Sequence, residues 1–254
     1  MPTTFDLTDK VAIVTGGGRG IGRSIALALA DSGAKVAVTA RSKDQLESVV
    51  REIQAKGREA LAIEVDLMQT DRIPVIVEET VKAFQQVDIL INNAARSFMR
   101  PLMDLREDGY DKIFDVNVKA AFLLSRLAAK EMMKAGGGRI VNITTVGAVR
   151  GGAGMGIYHA SKAALTMLTK CMAVEWAGLN INVNAVGPGL TRTPFSQPIW
   201  SNPEIEAAIT ARIPKGRLAE PEEVVGAVLF LCTENAQYIT GETIYVDGGS
   251  LANT

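Results

Sequence analysis

Seven short runs rich in β-favouring apolar residues recur along the chain, at 11–14, 36–38, 61–65, 89–91, 140–143, 181–186 and 243–246. Between them lie longer stretches with helical apolar spacing, at 21–30, 44–56, 72–84, about 110–135, 158–176 and 222–231. Most of the short runs are apolar almost throughout instead of alternating with polar residues. That pattern belongs to parallel strands covered by helices on both faces. The expected fold is therefore α/β, a doubly wound seven-stranded parallel sheet with helices on both faces. No linker, repeat or low-complexity tract interrupts the rhythm, so residues 1–254 read as one domain.

Local punctuation fits these boundaries. Gly33 and Gly57 follow helix ends, Pro221 suits a first helical turn, and Ser42 with Gln45 has the spacing of a capping box. Pro74 is tolerable only near a helix start, which places that start close to Asp71. The irregular exception is 187–216, with Pro188, Pro194, Pro198, Pro203 and Pro214. A long insertion after a strand's carboxyl end is where open α/β sheets carry substrate loops, so 190–216 is a candidate lid; the alternative is a static surface elaboration.

Composition excludes several functions. Lys+Arg 27 against Asp+Glu 28 leaves a formal net charge of -1, which gives no bias toward nucleic acid or anionic membrane. No apolar run reaches the about 20 residues of a membrane span, and no basic-then-apolar leader opens the chain, so a cytoplasmic location is expected. Cys171 and Cys232 lie in apolar stretches without ligand spacing, and His159 is the sole histidine, so no metal site is expected.

Two stretches carry chemistry. Between the first strand and helix lies Thr15-Gly16-Gly17-Gly18-Arg19-Gly20-Ile21-Gly22. Glycines there let the backbone turn tightly and approach a pyrophosphate at a helix N-terminus. Tyr158 and Lys162, four apart on one predicted helix, share a face. A free phenol titrates near about 10, and a cation beside it favours the phenolate, so the pair is a candidate acid/base.

With these motifs in this order, the chain resembles the short-chain dehydrogenase/reductase family over nearly its whole length. The resemblance rests on Thr15 to Gly22, Asp66, Asn92-Asn93-Ala94, Asn117, Tyr158 with Lys162, Gly187-Pro188-Gly189 and the glycine-bearing tail 241–249. It is of the kind seen in 3-oxoacyl carrier-protein reductases and in gluconate or glucose dehydrogenases. It implies a Rossmann fold and a nicotinamide cofactor held by Gly16, Gly18, Arg19, Gly20, Ile21, Asp66, Leu67, Asn93, Ala94, Pro188, Gly189, Thr191 and Thr193, with Tyr158 and Lys162. Ala95 stands where the family usually has glycine, which narrows the space beside the cofactor. The family's catalytic set maps onto Tyr158 as acid/base, Lys162 on the nicotinamide ribose, and Asn117 holding a water; the alternative for Asn117 is a helix-kink filler. A serine is usual where this chain has Thr145, which keeps the hydroxyl donor and adds a methyl; an ordinary strand role is its alternative. Thr144 should point to the other face. His159 is assigned surface or packing.

At the end of the second strand, where NAD-binding relatives carry a carboxylate, this chain has Ala40 followed by Arg41. Arg41, Ser42 and Arg19 can bind a 2′-phosphate, so NADP is expected ahead of NAD; solvated surface arginines are the alternative. For the substrate, Phe98, Met155, Phe195 and Trp200 suggest an apolar pocket, while Arg96, Arg150 and Arg192 suggest an anion. Basic residues that dock an acyl carrier protein in the reductases are replaced here by Gly136 and Leu179. The expectation is a small-molecule ketone/alcohol oxidoreductase, with a 3-oxoacyl carrier-protein reductase or an NAD-dependent sugar/polyol dehydrogenase as alternatives. Two further classes compete, a fold relative with non-redox chemistry and a nucleotide-sensing regulator. Family members are usually homotetramers.

Overall fold

The structure is a computed structural model that describes residues 5–253. The seven runs become β1 (Val11–Thr15), β2 (Lys35–Ala40), β3 (Ala60–Glu64), β4 (Ile89–Asn92), β5 (Gly138–Ile143), β6 (Ile181–Pro188) and β7 (Thr243–Val246). They pair in the order β3-β2-β1-β4-β5-β6-β7, and every pairing is parallel. The helices are α1 (Gly20–Asp31), α2 (Lys43–Ala55), α3 (Ile73–Phe84), α4 (Glu107–Phe114), α5 (Ala121–Lys134), α6 (Gly156–Trp176), α7 (Gln197–Trp200), α8 (Pro203–Thr210) and α9 (Pro221–Cys232).

Successive side chains of one strand enter different cores, which is why the strands had to be apolar on both faces. Ala12 and Val14 pack with Ile25 and Leu29 of α1, Leu46 of α2 and Val228 of α9. Ile13 points the other way, into a core with Ile76 of α3, Leu124 of α5 and Met172 of α6. Each aliphatic side chain buried this completely contributes about 1.5–3 kcal/mol. The strand order reverses between β1 and β4, so the connections leaving their carboxyl ends diverge and a crevice opens between them.

Four local details differ from expectation or refine it. A 3₁₀ turn at Thr70–Arg72 leads into α3, with Pro74 in the helix's first turn, so helical backbone begins a residue before Asp71. Ser42 occupies the N-cap position of α2 but makes no side-chain capping bond; it and Gln45 line the crevice instead. Reciprocal capping appears at α9, where the Glu220 N–H donates to the Glu223 carboxylate at 2.9 Å. The irregular stretch after β6 contains two helices, α7 and α8, each with proline in its first turn. Asn202 caps α8 by accepting from the Glu204 and Ile205 N–H groups at 3.0 and 3.3 Å.

The fourth detail bears on function. The helix expected over about 110–135 runs from α4 to α5, but through a π segment at Asp115–Ala120 that contains Asn117. Such widened turns cluster at functional sites.

Candidate active site

β1 delivers Thr15 to the edge of the crevice, and its hydroxyl ties two strand ends together. Thr15 Oγ1 donates to the Ile91 carbonyl at 3.3 Å and accepts from the Asn93 and Ala94 N–H groups, both at 3.0 Å. The Asn93 amide donates to the carbonyls of Thr15 and Gly16 at 2.8 and 3.3 Å. This packing is why the turn needs glycine. Gly16 has φ of 65°, and a Cβ at Gly22 would stand 2.4 Å from both the Asn93 amide nitrogen and the Gly16 carbonyl oxygen. Immediately above, α1 begins with no acidic residue in its first turn, so its free N–H groups favour an anion there.

The crevice is one continuous cavity of about 840 Å³ that extends from Arg41 to Arg150. Every predicted catalytic or cofactor residue lies in its wall except Asn117, which is 1% exposed behind it. Ala95 is in the wall too, with its methyl exposed. A cavity of this size, with a glycine cradle that side chains would block, fits a dinucleotide, and Arg41, Ser42 and Arg19 are among its lining residues. Asp66 accepts from the Met68 N–H at 3.0 Å, which turns the chain after β3 against the same wall.

The first turns of α6 place Tyr158 and Lys162 in the cavity wall together. Lys162 is 1% exposed and its ammonium donates to the Ile143 carbonyl at 2.7 Å. Burial pushes the Tyr158 phenol up to about 12 and pulls Lys162 down to about 7. The expected lowering of the tyrosine by the lysine is therefore outweighed by desolvation in the protein's own residues. Part of Tyr158 remains exposed.

No direct hydrogen bond joins Asn117 to Lys162 among the described residues. Its amide oxygen accepts from the Arg96 N–H at 2.7 Å, and its nitrogen donates to the Arg96 carbonyl and the Ser161 hydroxyl at 3.0 and 2.9 Å. The Ser161 hydroxyl in turn donates to the Tyr158 carbonyl at 2.7 Å. The side chain thus joins the loop after β4 to the helix turn that carries the tyrosine and lysine.

Both threonines after β5 line the cavity, contrary to the expected alternation, and they differ in how their hydroxyls are used. Thr144 spends its hydroxyl on the Val186 carbonyl at 3.2 Å. Thr145 accepts from the Gly147 N–H at 3.3 Å and keeps its own proton for the cavity. Of the substrate candidates, Met155, Phe195, Arg96 and Arg150 line the cavity, whereas Phe98, Trp200 and Arg192 do not. Arg192 is already neutralised by Glu206 and Glu220, at 2.5 and 3.4 Å. Leu190, Ile199 and Ile209, which lie inside the expected 190–216 segment but were not singled out there, supply apolar wall. His159 packs, as expected, here against Gly147 and Gly152, where a Cβ would lie 2.3 and 2.7 Å from its ring, and it also lines the cavity. Among the described residues no cluster could hold a metal ion, and no helix is long and apolar enough to cross a membrane.

Comparison with known proteins agrees with this geometry. A family model described as enoyl-(acyl carrier protein) reductase matches residues 16–250. Dehydrogenase/reductase SDR family member 4 of Bos taurus is 42% identical over 248 residues, covering 97% of this chain and 89% of that protein. The 3-oxoacyl-[acyl-carrier-protein] reductase of Synechocystis sp. is 38% identical, covering 96% and 97%. A provisionally assigned NAD(P)-dependent gluconate 5-dehydrogenase from Beutenbergia cavernae, solved with NADP bound, superposes with a TM-score of 0.94 at 39% identity, covering 98% and 99%. A gluconate 5-dehydrogenase from Burkholderia cenocepacia, in complex with NADP and tartrate, gives 0.94 at 29% identity, covering 98% of both chains. Fold and relatives together define an oxidoreductase that acts on CH–OH groups. The chain belongs to the short-chain dehydrogenase/reductase family.

Proposed function

We propose that the protein interconverts a small-molecule ketone and its secondary alcohol with NADP(H). The observation that carries this reading is that Tyr158, Lys162 and the free hydroxyl of Thr145 share one cavity with the glycine turn. Gly16–Gly22 and Pro188–Gly189 would hold the nucleotide, whose chemistry would be hydride transfer to the carbonyl carbon or from the alcohol. The chain's own residues handle the rest. Thr145 donates its hydroxyl to the substrate oxygen, and Tyr158 gives that oxygen a proton in reduction or removes one in oxidation. Lys162 holds the nicotinamide ribose, and its charge, when present, draws the phenol toward ionisation. With the Asn117 side chain already bonded to Arg96 and Ser161, the water path to Lys162 falls to the main chain of the π turn. Thr191 contributes through its backbone and Thr193 meets the carboxamide. The 190–216 segment acts as a lid through Phe195, Ile199 and Ile209.

NADP is preferred to NAD because Ala40 stands where a carboxylate would otherwise receive the ribose hydroxyl, while Arg41, Ser42 and Arg19 line the same cavity and can bind a 2′-phosphate. Steady-state kinetics with a ketone panel should therefore show a higher kcat/KM for NADPH than for NADH, and Arg41→Ala should remove most of that preference. Equal use of both nucleotides by the unaltered protein would refute it. Tyr158→Phe should cut turnover by about 10²–10⁴; near-normal activity would remove Tyr158 from the acid/base role.

A further inference from the structure

The cavity carries more positive charge than the proposed nucleotide site uses. Among the described residues in its wall, Asp66 is the only acid, against Arg19, Arg41, Arg96, Arg150 and Lys162. Arg19 and Arg41 stand at the glycine-turn end. Arg96 is turned aside, with its guanidinium on the Met68 sulfur and over the Phe98 ring. Arg150 sits at the opposite end, in the connection from β5 to α6. It donates to the Ser250 carbonyl at 3.4 Å and forms no ion pair among the described residues, unlike Arg192 on the neighbouring segment.

A second group faces the same space. His159 lines the cavity next to Tyr158, and its Nδ1 is buried without a hydrogen-bond partner. That nitrogen is closed off against Gly152, so Nε2 is the ring atom that a bound group would meet. Burial, and then the charge of Arg150, hold this imidazole below the ordinary histidine value, so it stays neutral near pH 7 and can offer one N–H. The first turn of α6 adds its positive end between Met155 and Tyr158 and contains no acidic residue to offset it.

We propose that the substrate carries an anionic group, a carboxylate or a phosphate, and that Arg150 with His159 forms the subsite that holds it beside Tyr158. The guanidinium matches either anion through two parallel charge-assisted hydrogen bonds, and the imidazole completes the set. Met155 and Phe195 supply apolar wall beside it. This assignment rests on the oxidoreductase reading given above and narrows its substrate class.

The test uses the full chain with NADPH and pairs of ketones matched except for charge. Acetoacetate is compared with methyl acetoacetate, and dihydroxyacetone phosphate with dihydroxyacetone, as NADPH consumption. In one pair the anionic member should have kcat/KM at least about tenfold above its neutral partner, the scale of one charge-assisted hydrogen bond; which pair does so identifies the anion. Arg150→Gln should bring that ratio close to one, and His159→Phe should lower it severalfold. Equal rates within both pairs, or a ratio untouched by Arg150→Gln, overturn the subsite. If no ketone is consumed, the oxidoreductase reading has failed, and melting temperature still tests the anion site. A rise with malonate but not malonamide, lost in Arg150→Gln, upholds the site; no such rise overturns it.

Discussion

Lys162 is the residue whose surroundings ask most of it. Its ordinary value is 10.5, and burial brings it to about 7. Between those values the unfolded chain holds a proton that the folded chain does not, so stability rises with pH across that window, by up to about 1.4 kcal/mol per pH unit. Below pH 7 the full cost of burying the charge is present. Urea unfolding of the protein without nucleotide should therefore show stability climbing from pH 7 to about 9, above which the buried Cys232 thiol, pushed up from its ordinary 9.0, opposes the climb, and Lys162→Met should flatten the rise; equal slopes would contradict it. At this scale most of the site was legible in the sequence, because glycine spacing and the tyrosine–lysine spacing are local facts that local chemistry explains. That His159 lines the cavity was not. Its contact with Gly147 and Gly152 depends on how the loop before α6 folds back, and no spacing rule encodes that. Arg192 misled for the complementary reason: Glu206 and Glu220 reach it only once α8 and α9 are in place.

Whole strands and helices were legible where one physical period ran uninterrupted, as in β1 through β7, whose buried faces leave little freedom of composition. The π segment was invisible because Ile113, Val116, Ala120 and Leu124 continue a helical apolar spacing straight through it. Its cause is tertiary: Asn117 must reach both Arg96 and Ser161, and the wider turn sets it there. Asn117→Ala should leave the Arg96 N–H buried and unpaired, with a loss of about 1–3 kcal/mol in urea unfolding. Unchanged stability would mean that the turn is held by packing alone. The prolines of the segment after β6 were misread for a different reason. Proline breaks a helix from within but starts one from its first turn, and Pro198 and Pro203 occupy that turn.

For the molecule as a whole, large apolar side chains remain exposed on the helices that flank the site's outer side, among them Met133 on α5 and Met167 and Val174 on α6. Homotetramer formation through these helices is expected, and light scattering should give four times the 27.0 kDa chain mass; a monomer would contradict it. The segment after β6 has one further consequence. The Trp200 indole donates to the Thr193 carbonyl at 3.0 Å and carries the Arg192 guanidinium 5.5 Å from its ring, while the chain's other tryptophan, Trp176, lies at the far end of α6. Any movement of this segment over the cavity changes the polarity around one of only two indoles. If the proposed lid closes, adding NADP should thus alter the intrinsic fluorescence in Trp176→Phe but not in Trp200→Phe, an optical signal that needs no attached dye; no change in Trp176→Phe would count against closure.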